Sequence, residues 1–123
     1  MDRVFMAAAG IAGALGVGIG AFGAHALRGR IEASALAVYQ TGVQYHLVHA
    51  VALGIVAWAT TRWPGGASTA AGWLFIAGIL LFSGSLYILA TTGARSLGMI
   101  TPLGGLCFIA GWACLVVAAV TAS

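Results

Sequence analysis

Residues 72–82, Gly-Trp-Leu-Phe-Ile-Ala-Gly-Ile-Leu-Leu-Phe, offer no polar side-chain atom except the indole N–H of Trp73. They sit inside an uncharged run of 32 residues, from Trp63 to Ala94. The only charged side chains of the chain are Asp2, Arg3, Arg28, Arg30, Glu32, Arg62 and Arg95, and they leave three further uncharged runs, 4–27, 33–61 and 96–123. Each of the four runs exceeds the roughly 20 residues that cross a bilayer as a helix. Of the 123 residues 62% are hydrophobic and 6% charged, against about 25% charged in a soluble domain. A water-facing surface cannot be built from this composition, which excludes a soluble enzyme, a DNA-binding domain and a disordered chain.

The expected fold is all-α: an integral membrane four-helix antiparallel up-and-down bundle in a single transmembrane domain, 1–123. The spans are expected at about 4–27, 42–61, 68–92 and 97–122. Arg28-Gly29-Arg30, Arg62-Trp63-Pro64-Gly65-Gly66 and Gly93-Ala94-Arg95-Ser96 are the breaks between them. Residues 31–41 (IEASALAVYQT) are weakly amphipathic and are expected as an interfacial turn leading into the second span. Pro102 falls in the first turns of the fourth, where proline is tolerated. Short connections make successive helices antiparallel neighbours. Arg3 precedes an apolar stretch ending in Ala24-His25-Ala26, the form of a signal-peptide cleavage site. That stretch is longer than the 7–15 residues of a signal's apolar region, so it is read as a first spanning helix.

The net charge of +3 comes from five arginines against two acids. The arginines are scattered over helix ends, where they anchor at headgroups, and form no basic face for nucleic acid. Arg28, Arg30 and Arg95 on one side against Arg3 and Arg62 on the other put both termini on the non-cytoplasmic side by the positive-inside rule. Cys107 and Cys114 lie two helical turns apart, about 10 Å along the axis, too far to bridge. They act as small apolar side chains. Gly13, Gly16, Gly20 and Gly23 recur at spacings of three, four and three. They are expected as a helix-packing seam, inside the bundle or between protomers.

Polar residues concentrate in one half of the expected bundle. His25 ends the first span; Gln40, Thr41, Gln44, Tyr45, His46 and His49 open the second; Ser83, Ser85, Tyr87, Thr91 and Thr92 end the third; Thr101 opens the fourth. This predicts a one-sided polar vestibule whose candidate site residues are His25, Gln44, Tyr45, His46, His49, Ser83, Ser85 and Tyr87. Such residues at membrane depth usually face the bundle interior. His25, His46 and His49 are the candidate metal ligands if three imidazoles converge, and a pair on two helices would ligate haem. Hydrogen bonding between helices is the first reading of these imidazoles, ahead of proton or ion handling, and no cofactor is expected. No acid lies inside a span, which argues against a carboxylate-driven transporter and removes the acid/base pair most hydrolases need. No catalytic residue is assigned.

GAFGAHAL (20–27), TGVQYHLVHAVAL (41–53), LFSGSLYILATTG (81–93) and ITPLGG (100–105) resemble the YgdD-like family. That family includes the transmembrane protein 256-like proteins and is catalogued as domain of unknown function 423. The resemblance covers nearly the whole chain. Its motif positions here are Gly23, His25, Gln44, Tyr45, His49, Ser83, Gly84, Ser85, Tyr87, Pro102 and Gly105. It implies a small four-span protein of the bacterial inner membrane, with no settled activity and hence no catalytic residues to carry over. The expected function is a non-enzymatic accessory or scaffold role, with membrane lipids and a homo-oligomer or larger membrane complex as partners. The alternatives are an ion, metal or lipid-headgroup binding or transport module, and a His-ligated haem or metal redox protein.

Overall fold

A computed structural model describes residues 1–122. Helix α1 is Asp2–Phe22, continued by a wider π-helical turn Gly23–Leu27; α2 is Ala33–Arg62. The third span is α3, Gly66–Gly78, a π-helical turn Ile79–Ser83, and α4, Gly84–Thr92. A 3₁₀ turn Arg95–Met99 leads into α5, Thr101–Thr121, with Pro102 in its first turn. Among the described residues there is no strand, and four helical segments are long and apolar enough to cross a membrane. In hydrocarbon every backbone group must be satisfied internally, which is why the four spanning segments are helical. Gly93 closes α4 at φ 72°, a left-handed cap that an L side chain rarely adopts.

One boundary differs from the sequence reading in a way that moves the polar residues. The segment expected as an interfacial turn, 31–41, is not separate: α2 already begins at Ala33. It contains no glycine or proline to break it. Its Leu36 and Tyr39 continue, at spacings of three, the row that runs on through Gly42 and His46, so one face packs without interruption. At 1.5 Å per residue α2 is about 45 Å long, longer than the roughly 30 Å hydrocarbon layer. Its middle therefore falls near residues 47–48. His46 and His49 lie at the middle of α2 rather than near its start.

Helix α1 packs along α2, and α5 along α3, while α2 also carries α3 and α4. Helix α1 therefore leans on α2 along its length and touches the third span at its N-terminal end, where Phe5 meets Trp73 edge-on at 5.4 Å. Arg28, Arg30 and Arg95 lie at one end of the bundle; Arg3 and Arg62 lie at the other. There the Arg62 guanidinium stands 5.8 Å from the centre of the Trp63 ring, and Trp63 meets Trp58 edge-on at 5.1 Å. Paired indoles and an arginine of this kind mark the headgroup level.

Between apolar helices in lipid there is no hydrophobic gain, so close packing has to hold them. The core does this by setting aromatic rings against glycines. Phe5 and Phe75 are fully buried, the first lying over Gly72 and the second over Gly111; Phe108 lies over Gly78. Gly104 is the tightest of these: a methyl there would fall 2.7 Å from the Cα of Phe82 and against its backbone nitrogen. Backbone cannot yield as a side-chain tip can. Gly104→Ala is expected to destabilise the bundle by about 1–3 kcal/mol. Gly54→Ala, with nothing within 4 Å, should be neutral or slightly stabilising. Unfolding in detergent checks the pair; equal behaviour of the two variants would contradict this packing.

Candidate functional site

The centre of the bundle is a set of side chains from α2 that bind its neighbours. His46 is buried. Its Nε2 lies 2.8 Å from the Ala12 carbonyl of α1 and its Nδ1 2.8 Å from the Tyr87 hydroxyl of α4. A carbonyl only accepts, so Nε2–H donates to Ala12, and in the neutral ring Tyr87 donates to Nδ1. Seven residues earlier, the Tyr39 hydroxyl donates to the Ile19 carbonyl at 2.6 Å. Gly23, at the start of the π-helical turn, makes room for that ring, since a Cβ there would strike Tyr39. From the third span the Ser83 hydroxyl donates to the Gly42 carbonyl at 2.7 Å, and Gly42 lets the Tyr87 ring lie against α2.

His49, about 60° round the same face of α2, has the complementary tautomer. Its Nδ1–H donates to the Tyr45 carbonyl at 2.7 Å, while the Trp112 indole N–H donates to Nε2 at 3.0 Å. Its ring stacks on Phe108 with centroids 3.6 Å apart and meets Phe75 edge-on at 5.3 Å. Ser85 donates to the Phe82 carbonyl and shares a 2.6 Å hydrogen bond with Thr101, tying α4 to α5. Among the described residues no buried side-chain polar atom lacks a partner.

Above His46 the open side of α1 leaves a cleft of about 400 Å³ between α1 and the third span. Leu15, Ile19, Ile79 and Leu80 wall it, and His46 and Tyr87 form its floor. It opens sideways, toward lipid. A larger hollow of about 590 Å³, lined by Asp2, Arg3 and Trp58 among others, lies at the level of the headgroups.

Residues 19–105 match the model of a family described as "Protein of unknown function (DUF423)". The UPF0382 membrane protein YwdK of Bacillus subtilis (strain 168) is 54% identical over 119 residues, covering 96% of this chain and 97% of that protein. The UPF0382 membrane protein SH2409 of Staphylococcus haemolyticus (strain JCSC1435) is 40% identical over 121 residues, covering 94% and 93%. The chain belongs to the DUF423 family. It is a membrane protein, as these relatives are named, and no solved structure matches it.

In this DUF423 protein the candidate residues divide. His46, His49, Ser83 and Tyr87 are brought together with α2 as their common support, while Ser85 instead joins α4 to α5. Tyr45 is 43% exposed and contributes its carbonyl to His49 and its ring to Phe82, at 4.7 Å. Gln44 and His25 are exposed. The expected convergence of three imidazoles does not occur. Gly20 packs against Val43 and Gly23 against Tyr39, so His25 is level with about residue 37, about 13 Å along the axis from His46. That offset also removes His25 as a haem partner of His46 or His49. A neutral imidazole has one lone pair, and those of His46 and His49 already accept from Tyr87 and Trp112. Among the described residues no three His, Cys, Asp or Glu side chains group to hold a metal ion.

The glycine seam is also partly corrected. Gly16 packs against Leu47 and His46, Gly20 against Val43 and Gly23 against Tyr39, all within the chain, while Gly13 has nothing within 4 Å. A seam buried on α2 is not free for a second protomer. Sequence reasoning missed Tyr39, placed in a presumed turn, and Trp112, placed in the apolar half. The indole N–H of Trp112, which needs an acceptor at that depth, was the available signal. Tyr87→Phe and Trp112→Phe should each destabilise by about 1–2 kcal/mol, leaving an imidazole nitrogen unpaired. His49→Ala should lower stability and leave metal content unchanged; a stoichiometric metal lost in that variant would restore the ligand reading.

Proposed function

We propose that this protein is a non-enzymatic accessory or scaffold protein of the bacterial plasma membrane that works through its lipid-facing helix surfaces. The observation that supports this reading is how the intramembrane polar groups are used. Both imidazoles are occupied at both nitrogens, Ser83 and Ser85 are bonded to the backbone, and no carboxylate lies within a span. Among the described residues these imidazoles and serines are committed to structural bonds, and no nucleophile is paired with a base. Large side chains such as Val17, Val51, Leu80 and Ile109 instead face outward.

The lateral cleft favours a second reading, in which one lipid is held by its acyl chain. Its walls are carbon, which suits a chain rather than a headgroup. Native mass spectrometry of protein gently released from its own membrane tests both. A stoichiometric membrane-protein partner that persists in His49→Phe but is lost in the outward-facing Leu80→Arg supports the accessory reading, and a bare chain with no protein partner contradicts it. A lipid adduct present in wild type and lost in Gly84→Leu, which fills the cleft, supports the second; an adduct indifferent to that change contradicts it.

The arginine count supports placing both termini on the non-cytoplasmic side. A phosphatase fused to the C-terminus should then be active and one fused after Gly29 inactive. The reverse pattern would invert the topology.

A further inference from the structure

Among the intramembrane polar groups of α2, the Gln44 amide and the hydroxyl of its neighbour Tyr45 are exposed and make no hydrogen bond among the described residues. The Tyr45 ring is engaged by Phe82, and Gln44 has no such contact in the chain. It lies about 5 Å from the midpoint of α2, well inside the roughly 30 Å hydrocarbon layer. Thr41, one turn away on the same face, satisfies its own hydroxyl on the Ala37 carbonyl at 3.0 Å. Gln40 is a turn nearer the end, within reach of headgroups by extension of its side chain. Gln44 has neither route. An unpaired amide in hydrocarbon is costly, and acyl chains offer it no donor or acceptor.

The row that carries Gln44 runs the length of the outer face of α2: Thr41, Gln44, Val48, Val51, Ile55 and Trp58, all exposed. Their spacings alternate between three and four, the repeat of a left-handed helix pair crossing at about 20°. An amide carries both donors and acceptors, so its best complement is another amide. Two copies in one membrane have the same orientation and are related by a two-fold axis along the membrane normal. Their α2 helices then run parallel, and each Gln44 meets its counterpart at the same depth. The outer faces of α1 and α5 hold no comparable unpaired group at mid-membrane.

We propose that a second copy of this chain docks on the outer ridge of α2, forming a parallel two-fold dimer closed by reciprocal Gln44 amide hydrogen bonds. This rests on the reading that the outward helix faces are the working surfaces, and it names the partner of one of them. The test uses the full chain in phosphatidylethanolamine/phosphatidylglycerol vesicles, with Cys107→Ala and Cys114→Ala as background. Val48→Cys and Val51→Cys should cross-link readily under mild oxidation, while Leu106→Cys, equally lipid-facing on α5, should not. Gln44→Leu should weaken the dimer about ten-fold in a dilution energy-transfer assay, with Gln44→Asn retaining most of it. Gln44 touches no hydrogen-bonding partner in its own chain, so thermal unfolding of Gln44→Leu should match wild type and separate lost docking from lost fold. Cross-linking at Val48 no faster than at Leu106, or Gln44→Leu dimerising as tightly as wild type, would overturn the proposal. A monomer that still carries a larger membrane partner would overturn the dimer alone and leave the accessory reading standing.

Discussion

The imidazole of His46, held between the Ala12 carbonyl and the Tyr87 hydroxyl, joins three of the four spans midway along α2. Water cannot take over either bond there, and apolar contact between helices gains nothing over contact with lipid. What selects one arrangement of four apolar rods is therefore a small number of directional bonds together with shape. His46 sets α1 against α2 and α2 against α4; Tyr39 and Ser83 repeat the two connections one or two turns away. One turn further along α2, His49 and Trp112 add α5. Each bond from α2 to α1 and from Ser83 ends on a helical carbonyl, whose second lone pair is free once the helix bond is made.

Shape complements these bonds through glycine. Rings occupy the places where side chains are missing: Tyr39 at Gly23, Tyr87 at Gly42, Phe5 at Gly72, Phe108 at Gly78 and Phe75 at Gly111. Glycine weakens a helix in water by roughly 1 kcal/mol relative to alanine. In lipid the unfolded alternatives of the backbone are suppressed because an open amide has no partner, so the close approach it permits outweighs that loss.

The four spans are legible from the charges alone, since seven charged residues can sit only at helix ends. The polar residues of the core are legible as well, because polar groups at that depth stand out against their surroundings. Two things are not. The start of α2 is hidden because Glu32 and the mixed segment after it look interfacial, although a helix may extend past the hydrocarbon into the headgroups. The later start expected for α2 moved His46 and His49 from the middle of the helix towards its beginning and left Tyr39 in a turn. The second hidden feature is which glycines of a periodic row are used: Gly13 and Gly16 are equivalent by spacing, yet only Gly16 meets α2. The rotation of α1 about its axis depends on where Tyr39 and His46 reach it, and that information lies in another helix.

The same attachment explains why the bundle is open on one side. Helix α1 is bonded to α2 through two side-chain bonds about seven residues apart, and it meets the third span at its N-terminal end, where Phe5 packs on Gly72 and Trp73, leaving the rest of that side open. The reach of the imidazole sets the separation: one ring must bridge from α2 to α1 on one nitrogen and to Tyr87 on the other. A ring of fixed size between two fixed partners keeps the walls of the cleft apart while sealing its base. A shorter side chain at position 46 would let α1 and the third span approach, and a longer one would part them. The cleft is thus a consequence of the bond that organises the fold, which places its apolar walls above the most constrained point of the structure.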